Sequence, residues 1–149
     1  MNLGSGAGAI AVADGAAATD LEISARMTGG GGGVSKSGAG TLELSGSAVN
    51  DYSGATTVTG GVLKLNKSGA GNGAVPGSLA VTSGGTVEIA ASEQIGDSSA
   101  VTVGSGAVFA FSGSGLTETV GRLRIRVVIS VPGRTTWWAR GVRYTGRAA

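Results

Sequence analysis

Short alternations of apolar and other residues recur along this chain. Leu21-Glu22-Ile23, Leu42-Glu43-Leu44, Leu63-Lys64-Leu65, Val87-Glu88-Ile89 and Phe109-Ala110-Phe111 each flank one residue with two apolar ones. Their first members lie 21, 21, 24 and 22 residues apart. In a strand, such alternation puts the flanking pair on one face and the central residue on the other. A second series interleaves with the first: Val12, Val34, Val58, Val81, Val103 and Ile125, at intervals of 22, 24, 23, 22 and 22. Turn-forming runs separate the members, among them Ser45-Gly46, Gly60-Gly61, Ser83-Gly84-Gly85 and Gly104-Ser105-Gly106. No window places apolar residues at i, i+3, i+4 and i+7, and glycines interrupt every candidate helix. The segment Ala13–Asp20 reads as a loop between two strands.

A period of roughly 20–25 residues belongs to solenoids, whose coils bury their apolar faces only against neighbouring coils. A β-sandwich of hairpins needs no fixed period, so the regular spacing favours the solenoid. The pattern predicts an all-β fold, a parallel β-helix over residues 1–125 with about five coils of 21–24 residues. Equivalent strands of successive coils would lie about 4.8 Å apart. Glu43, Lys64 and Glu88 then face outward on consecutive coils, where opposite charges contribute roughly 0.2–1 kcal/mol per pair.

Composition narrows the class without changing it. Thirty of the 149 residues are Gly and only two are Pro, with no Gly-X-Y period, which excludes collagen. Positive mean hydropathy and closely spaced aliphatic residues argue against disorder. Aromatic residues make up 4% of the chain, so the core is expected to be thin and aliphatic. There is no Cys and no His, which excludes disulfides, Cys/His zinc sites and every His-based triad.

One stretch adds a family resemblance. Lys36-Ser37-Gly38-Ala39-Gly40-Thr41-Leu42, Tyr52-Ser53-Gly54-Ala55-Thr56-Thr57-Val58 and Gly61-Val62-Leu63 fall in order within residues 33–65. This run resembles the autotransporter-associated β-strand repeat, or passenger-associated transport repeat, of secreted bacterial passenger regions. The resemblance implies a right-handed coil, the hand general to parallel crossovers. It further implies a structural segment of a secreted or surface-exposed passenger, a stalk or adhesin-type scaffold that also assists transport. The implied location is the bacterial cell surface, as part of a longer protein whose adjoining coils are the partners. The N-terminus has no basic region ahead of a long apolar run, so it does not read as a signal peptide, and no segment is long enough to span a membrane as a helix. The isolated chain is expected to be marginal in stability or to associate end to end, because terminal coils leave strand edges unpaired.

No catalytic, cofactor or metal residues stand out. Gly4-Ser5-Gly6-Ala7-Gly8-Ala9 and Gly69-Ala70-Gly71-Asn72-Gly73-Ala74 lack the strand, helix and Lys-Ser/Thr of a phosphate loop and read as turns. Asn66-Lys67-Ser68 fits a glycosylation acceptor but also reads as a turn. A carbohydrate-active β-helix is the rival reading and would need clustered carboxylates. Asp14, Asp20, Asp51, Glu93, Asp97 and Glu118 are spread over different loops, generally one to a coil. Thr56-Thr57-Val58-Thr59 has the look of an ice-binding array, yet it occurs in one coil. Calcium-binding nonapeptides are absent.

The C-terminal end departs from this pattern. Up to Gly121 the chain carries four basic and nine acidic residues, whereas Arg122–Ala149 holds seven Arg and no acid, together with Trp137, Trp138 and Tyr144. Residues 126–149 are an atypical basic tail with three competing explanations. It is a frameshifted or eroded end, a cap over the last coil, or a patch for anionic partners. No recognised nucleic-acid motif surrounds it.

Overall fold

In the computed structural model, residues 1–125 are described except Ala70, Asn72 and Ser83. Eleven short strands and no helix occur among them: β1 (Gly8–Ala11), β2 (Leu21–Ile23), β3 (Val34–Ser37), β4 (Thr41–Leu44), β5 (Thr56–Val58), β6 (Gly61–Leu65), β7 (Leu79–Val81), β8 (Gly85–Ile89), β9 (Ala100–Val103), β10 (Val108–Phe111) and β11 (Arg122–Ile125). Odd-numbered strands stack in order as one parallel sheet and even-numbered strands as a second. Each coil therefore contributes one strand to each sheet, then returns along a third, irregular side. That side carries isolated parallel bridges at Asn2–Thr28 and Val75–Ile95. The result is a β-solenoid of about five turns, as the spacing predicts.

The even sheet follows the apolar pattern residue for residue. Leu21, Leu42, Leu63, Val87 and Phe109 are aligned in one column, and Ile23, Leu44, Leu65, Ile89 and Phe111 in the next. In the middle three coils all six of these side chains are fully buried. At the ends the same columns are only partly covered, with Leu21 39% exposed and Ile23, Phe109 and Phe111 half-buried. Phe109 and Phe111 meet edge to face, ring centroids 6.0 Å apart. A coil is thus one side chain thick, and burial of each Leu comes from the coil above and the coil below. Full burial of such a side chain contributes about 1.5–3 kcal/mol, which no single coil can obtain alone.

The odd sheet corrects the second series. Val58, Val81, Val103 and Ile125 are aligned as expected, but the earlier members of that column are Lys36 and Ile10. Val34 belongs to the neighbouring inward column, with Thr56, Leu79, Val101 and Leu123. Val12 lies beyond the end of β1, where its N–H bonds Ser37 O and its carbonyl accepts Gly40 N–H. The cause is physical: two inward positions hold polar side chains, Lys36 and Thr56, so an apolar count slides to the nearest Val. The loop after β1 also lengthens that side of the first coil.

Tight corners join the two sheets. Gly61 opens β6 with φ +59°, and a Cβ there would lie 2.5–2.6 Å from the carbonyl oxygens of Gly38, Ala39 and Gly40 in the coil below. Only glycine fits both the backbone angle and the stacking distance.

Leu63→Ala is expected to cost about 2–5 kcal/mol, the range for deleting a buried Leu side chain. Ile23→Ala at the half-covered end should cost clearly less. Urea unfolding of both variants measures the difference, and equal losses would contradict burial by stacking.

Candidate functional site

The chemistry of this chain lies inside the coil as well as on its faces. Lys36 points inward from β3 and is fully buried, as the alternation Val34-Ser35-Lys36 dictates. Its Nζ donates to Ser37 O at 3.1 Å, Gly38 O at 2.9 Å and Gly60 O at 3.0 Å. The last of these belongs to the following coil, so one ammonium gathers the carbonyls of two stacked corners. Desolvation pulls the Lys36 pKa below its ordinary value, with the negative charge of Asp20 opposing it. Lys67 is also buried and donates from Nζ to Ser45 O, 2.7 Å away in the preceding coil. Burial again lowers its pKa.

A second set of buried polar groups lines the third side. Asn50 Oδ1 accepts Met27 N–H at 2.8 Å, and its Nδ2 donates to Ala74 O at 2.8 Å, linking three coils. Tyr52 is fully buried with its hydroxyl 2.6 Å from Thr56 Oγ1 and 3.3 Å from Ala74 O. Burial pushes its pKa up to about 12, although the Thr56 hydrogen bond acts the other way. Gln94 Oε1 accepts Lys67 N–H at 2.7 Å while Nε2 donates to Lys67 O and Ser92 O. Glu118 accepts Gln94 N–H at 2.8 Å and Ile95 N–H at 2.9 Å. A buried N–H or C=O left unpaired costs about 1–3 kcal/mol. These side chains satisfy backbone that the irregular third side leaves outside the sheets.

The carboxylates named from the sequence serve similar ends. Asp20 accepts Gly15 N–H at 2.8 Å and Thr41 N–H at 2.7 Å, closing the loop after β1 and tying it to the next coil. Asp51 pairs with the exposed Arg26. Glu93 accepts Thr119 N–H at 3.2 Å and Thr117 Oγ1 at 3.3 Å. Asp14 and Asp97 are exposed. Stacking does bring Glu93, Asp97 and Glu118 near enough for the first two to raise the pKa of the third. Among the described residues, no group of three or more acidic side chains is placed to hold a metal ion. On the outer face of the even sheet, Glu22, Glu43, Lys64, Glu88 and Ala110 are in register. Lys64 Nζ lies 3.3 Å from Glu43 Oε2, and Glu43 also accepts Asn66 Nδ2 at 2.7 Å and Thr19 Oγ1 at 3.0 Å. The Asn66 bond is the chief reason that the Glu43 pKa is lowered.

Sequence reasoning missed the buried Lys36, Asn50, Lys67 and Gln94. The Lys36 signal was available, since the period-two pattern that turns Val34 inward does the same two residues on. Asn66-Lys67-Ser68 does form an ordinary connection, with Asn66 Nδ2 held by Glu43 and Lys67 in the interior. The basic tail 126–149 lies outside the described residues.

Replacing Lys36 by Met is expected to destabilise the fold by roughly 1–3 kcal/mol, because Gly38 O and Gly60 O lose their donor. Denaturant titration would show it as a lower midpoint at unchanged slope. A gain in stability would mean that the desolvation cost outweighs the three hydrogen bonds.

Neither a curated protein nor a solved structure matches the chain significantly. A family model does match, over residues 34–65, which run from the start of β3 to the end of β6. That stretch contains Lys36, the Gly38 and Gly61 corners, Asn50 and Tyr52, all of which act between coils. The matching model is that of the passenger-associated-transport-repeat, to which residues 34–65 are similar.

Proposed function

We propose that this chain is a structural segment of an autotransporter-type passenger, a rigid β-solenoid stalk carried at the bacterial surface within a longer protein. The observation that carries the reading is that each of several buried side chains pairs backbone of a neighbouring coil. Met27 is paired by Asn50, Lys67 by Gln94, Gln94 and Ile95 by Glu118, and Gly60 by Lys36. A coil of this kind is completed by its neighbours, which are its natural partners. The buried Lys36, Lys67 and Glu118 all bind backbone groups, and Tyr52 bonds both Thr56 and Ala74 O, as a structural role requires. A structural role therefore accounts for the buried chemistry.

Coil-by-coil folding on the outer side of the membrane would also favour outward movement of the chain. Each coil that closes buries apolar surface and cannot easily be drawn back.

The test is to insert the full chain into a carrier passenger with its own β-barrel translocator and to follow surface display and protease resistance. The intact segment is expected to reach the surface and resist digestion. Leu63→Asp, which places a charge in the centre of the apolar column, should lower both. Undiminished display of Leu63→Asp, with protease resistance lost in that variant alone, would retain the stalk and remove the transport role. A segment that is digested as readily as its Leu63→Asp variant would overturn the stalk.

A further inference from the structure

The first coil carries a long connection between its two strands. Nine residues, 12–20, separate β1 from β2, whereas two to four separate the corresponding strands of the later coils. Both ends of this loop are fixed to the second coil: Val12 O accepts Gly40 N–H at 3.0 Å, and Asp20 Oδ2 accepts Thr41 N–H at 2.7 Å. Between them Asp14, Gly15, Ala16, Ala17 and Ala18 are exposed. A hydrogen bond crosses the loop, from Gly15 N–H to Asp20 Oδ1 at 2.8 Å. Asp14-Gly15 is the only Asp-Gly pair in the sequence, and that pairing has its own chemistry. Glycine has no side chain to hinder its nitrogen and takes the backbone angles that ring closure needs. Once a solvent proton has neutralised the Asp14 carboxylate, the Gly15 nitrogen can bond to Asp14 Cγ. Its own proton and the carboxyl OH leave as water, and a five-membered succinimide results. Water then reopens the ring: entry at Cγ restores aspartate, and entry at the main-chain carbonyl carbon leaves isoaspartate, with the chain running through Cγ. No oxidant or cofactor is consumed, and the mass is unchanged.

We propose that Asp14-Gly15 is a site of spontaneous aspartate isomerisation that Asp20 holds in check. Asp20 accepts one N–H at each carboxylate oxygen, the pattern of an ionised acid, and hydrogen bonds to such a charge are stronger than neutral ones. Two effects of this carboxylate act in one direction. The bond to Gly15 must break before the nitrogen can give up its proton to the reaction. The negative charge beside that nitrogen also opposes the negative charge that develops on it as the proton leaves. The link therefore converts in molecules whose loop has opened. Isoaspartate, once formed, adds a carbon to the main chain of the loop.

Incubation of the full-length chain for weeks at neutral pH, then proteolysis and mass spectrometry with electron-transfer fragmentation, measures isoaspartate at residue 14. A peptide of residues 8–20 with Ala in place of Asp20 gives the unrestrained rate. The wild-type rate is expected to lie roughly ten- to hundredfold below it, the range of a hydrogen bond to a charged group. Asp20→Ala in the full chain should recover most of that difference. Thr19→Ala, which removes the Thr19 bond to Glu43 and leaves the Gly15 bond, should keep the wild-type rate. Asp20→Ala also loses the Thr41 bond, so hydrogen exchange of the wild type supplies a reading that needs no variant. Corrected for intrinsic rates, the Gly15 amide should exchange roughly ten- to hundredfold more slowly than the exposed Ala17 amide. A peptide that forms no isoaspartate, a wild-type rate equal to the peptide's, or an Asp20→Ala rate at or below wild type would overturn the proposal. So would equal acceleration in Thr19→Ala and Asp20→Ala, or an unprotected Gly15 amide.

Discussion

Everything in this molecule depends on one constraint: a coil is a single side chain thick and has no interior of its own. Leu42 and Leu44 become fully buried only because Leu63 and Leu65 lie on one side and Leu21 and Ile23 on the other. Stability in such a stack is a sum of interfaces between neighbours. The same columns lose cover at both described ends, where Ile23 and Phe111 are half-buried. The thin aliphatic core also explains the composition. Close stacking of corners excludes side chains there, and Gly38 and Gly61 occupy positions where a Cβ would strike backbone oxygen of the coil below.

Apolar stacking alone leaves register poorly determined. Leu42-Glu43-Leu44 against Leu63-Lys64-Leu65 presents Leu to Leu in the observed register, and a slip of two residues still leaves one such contact. Polar groups remove that freedom. Displacement of Asn50 by one residue strands Met27 N–H and Ala74 O together, and displacement of Lys36 strands the corner carbonyls. The outer ladder contributes in the same sense but weakly, since the Lys64–Glu43 pair is partly solvated and such pairs are worth under about 1 kcal/mol. The interior polar residues thus define where each coil sits, while the aliphatic columns supply the drive to stack.

How much of this was legible in the sequence follows from the same division. The even sheet could be read at single-residue level because its inward positions are all aliphatic or aromatic and its corners are short. The odd sheet could be read as a sheet but not in register before Val58, because Lys36 and Thr56 stand at inward positions where the eye expects Val. The third side carried no period-two signal at all. Asn50, Gln94 and Glu118 are set by the need to pair backbone that has left the sheets, and that need appears only when the coils are stacked. The six loop carboxylates looked scattered for the same reason: sequence distance conceals that Glu93 and Glu118 are neighbours across one coil repeat.

The repeat motif acquires a physical meaning from this arrangement. Its lysine gathers corner carbonyls from two coils, its tyrosine fills the third side and hydrogen-bonds Thr56 and Ala74 O, and its glycines admit the backbone of the coil below. Each of these roles concerns a neighbour, and none requires a ligand. A motif built in this way specifies stacking without fixing what the outer faces display. Outward positions of the odd sheet, such as Ser35, Thr57, Ala80 and Thr102, are accordingly unconstrained by the core. The inward columns can therefore stack from coil to coil while the outer faces vary.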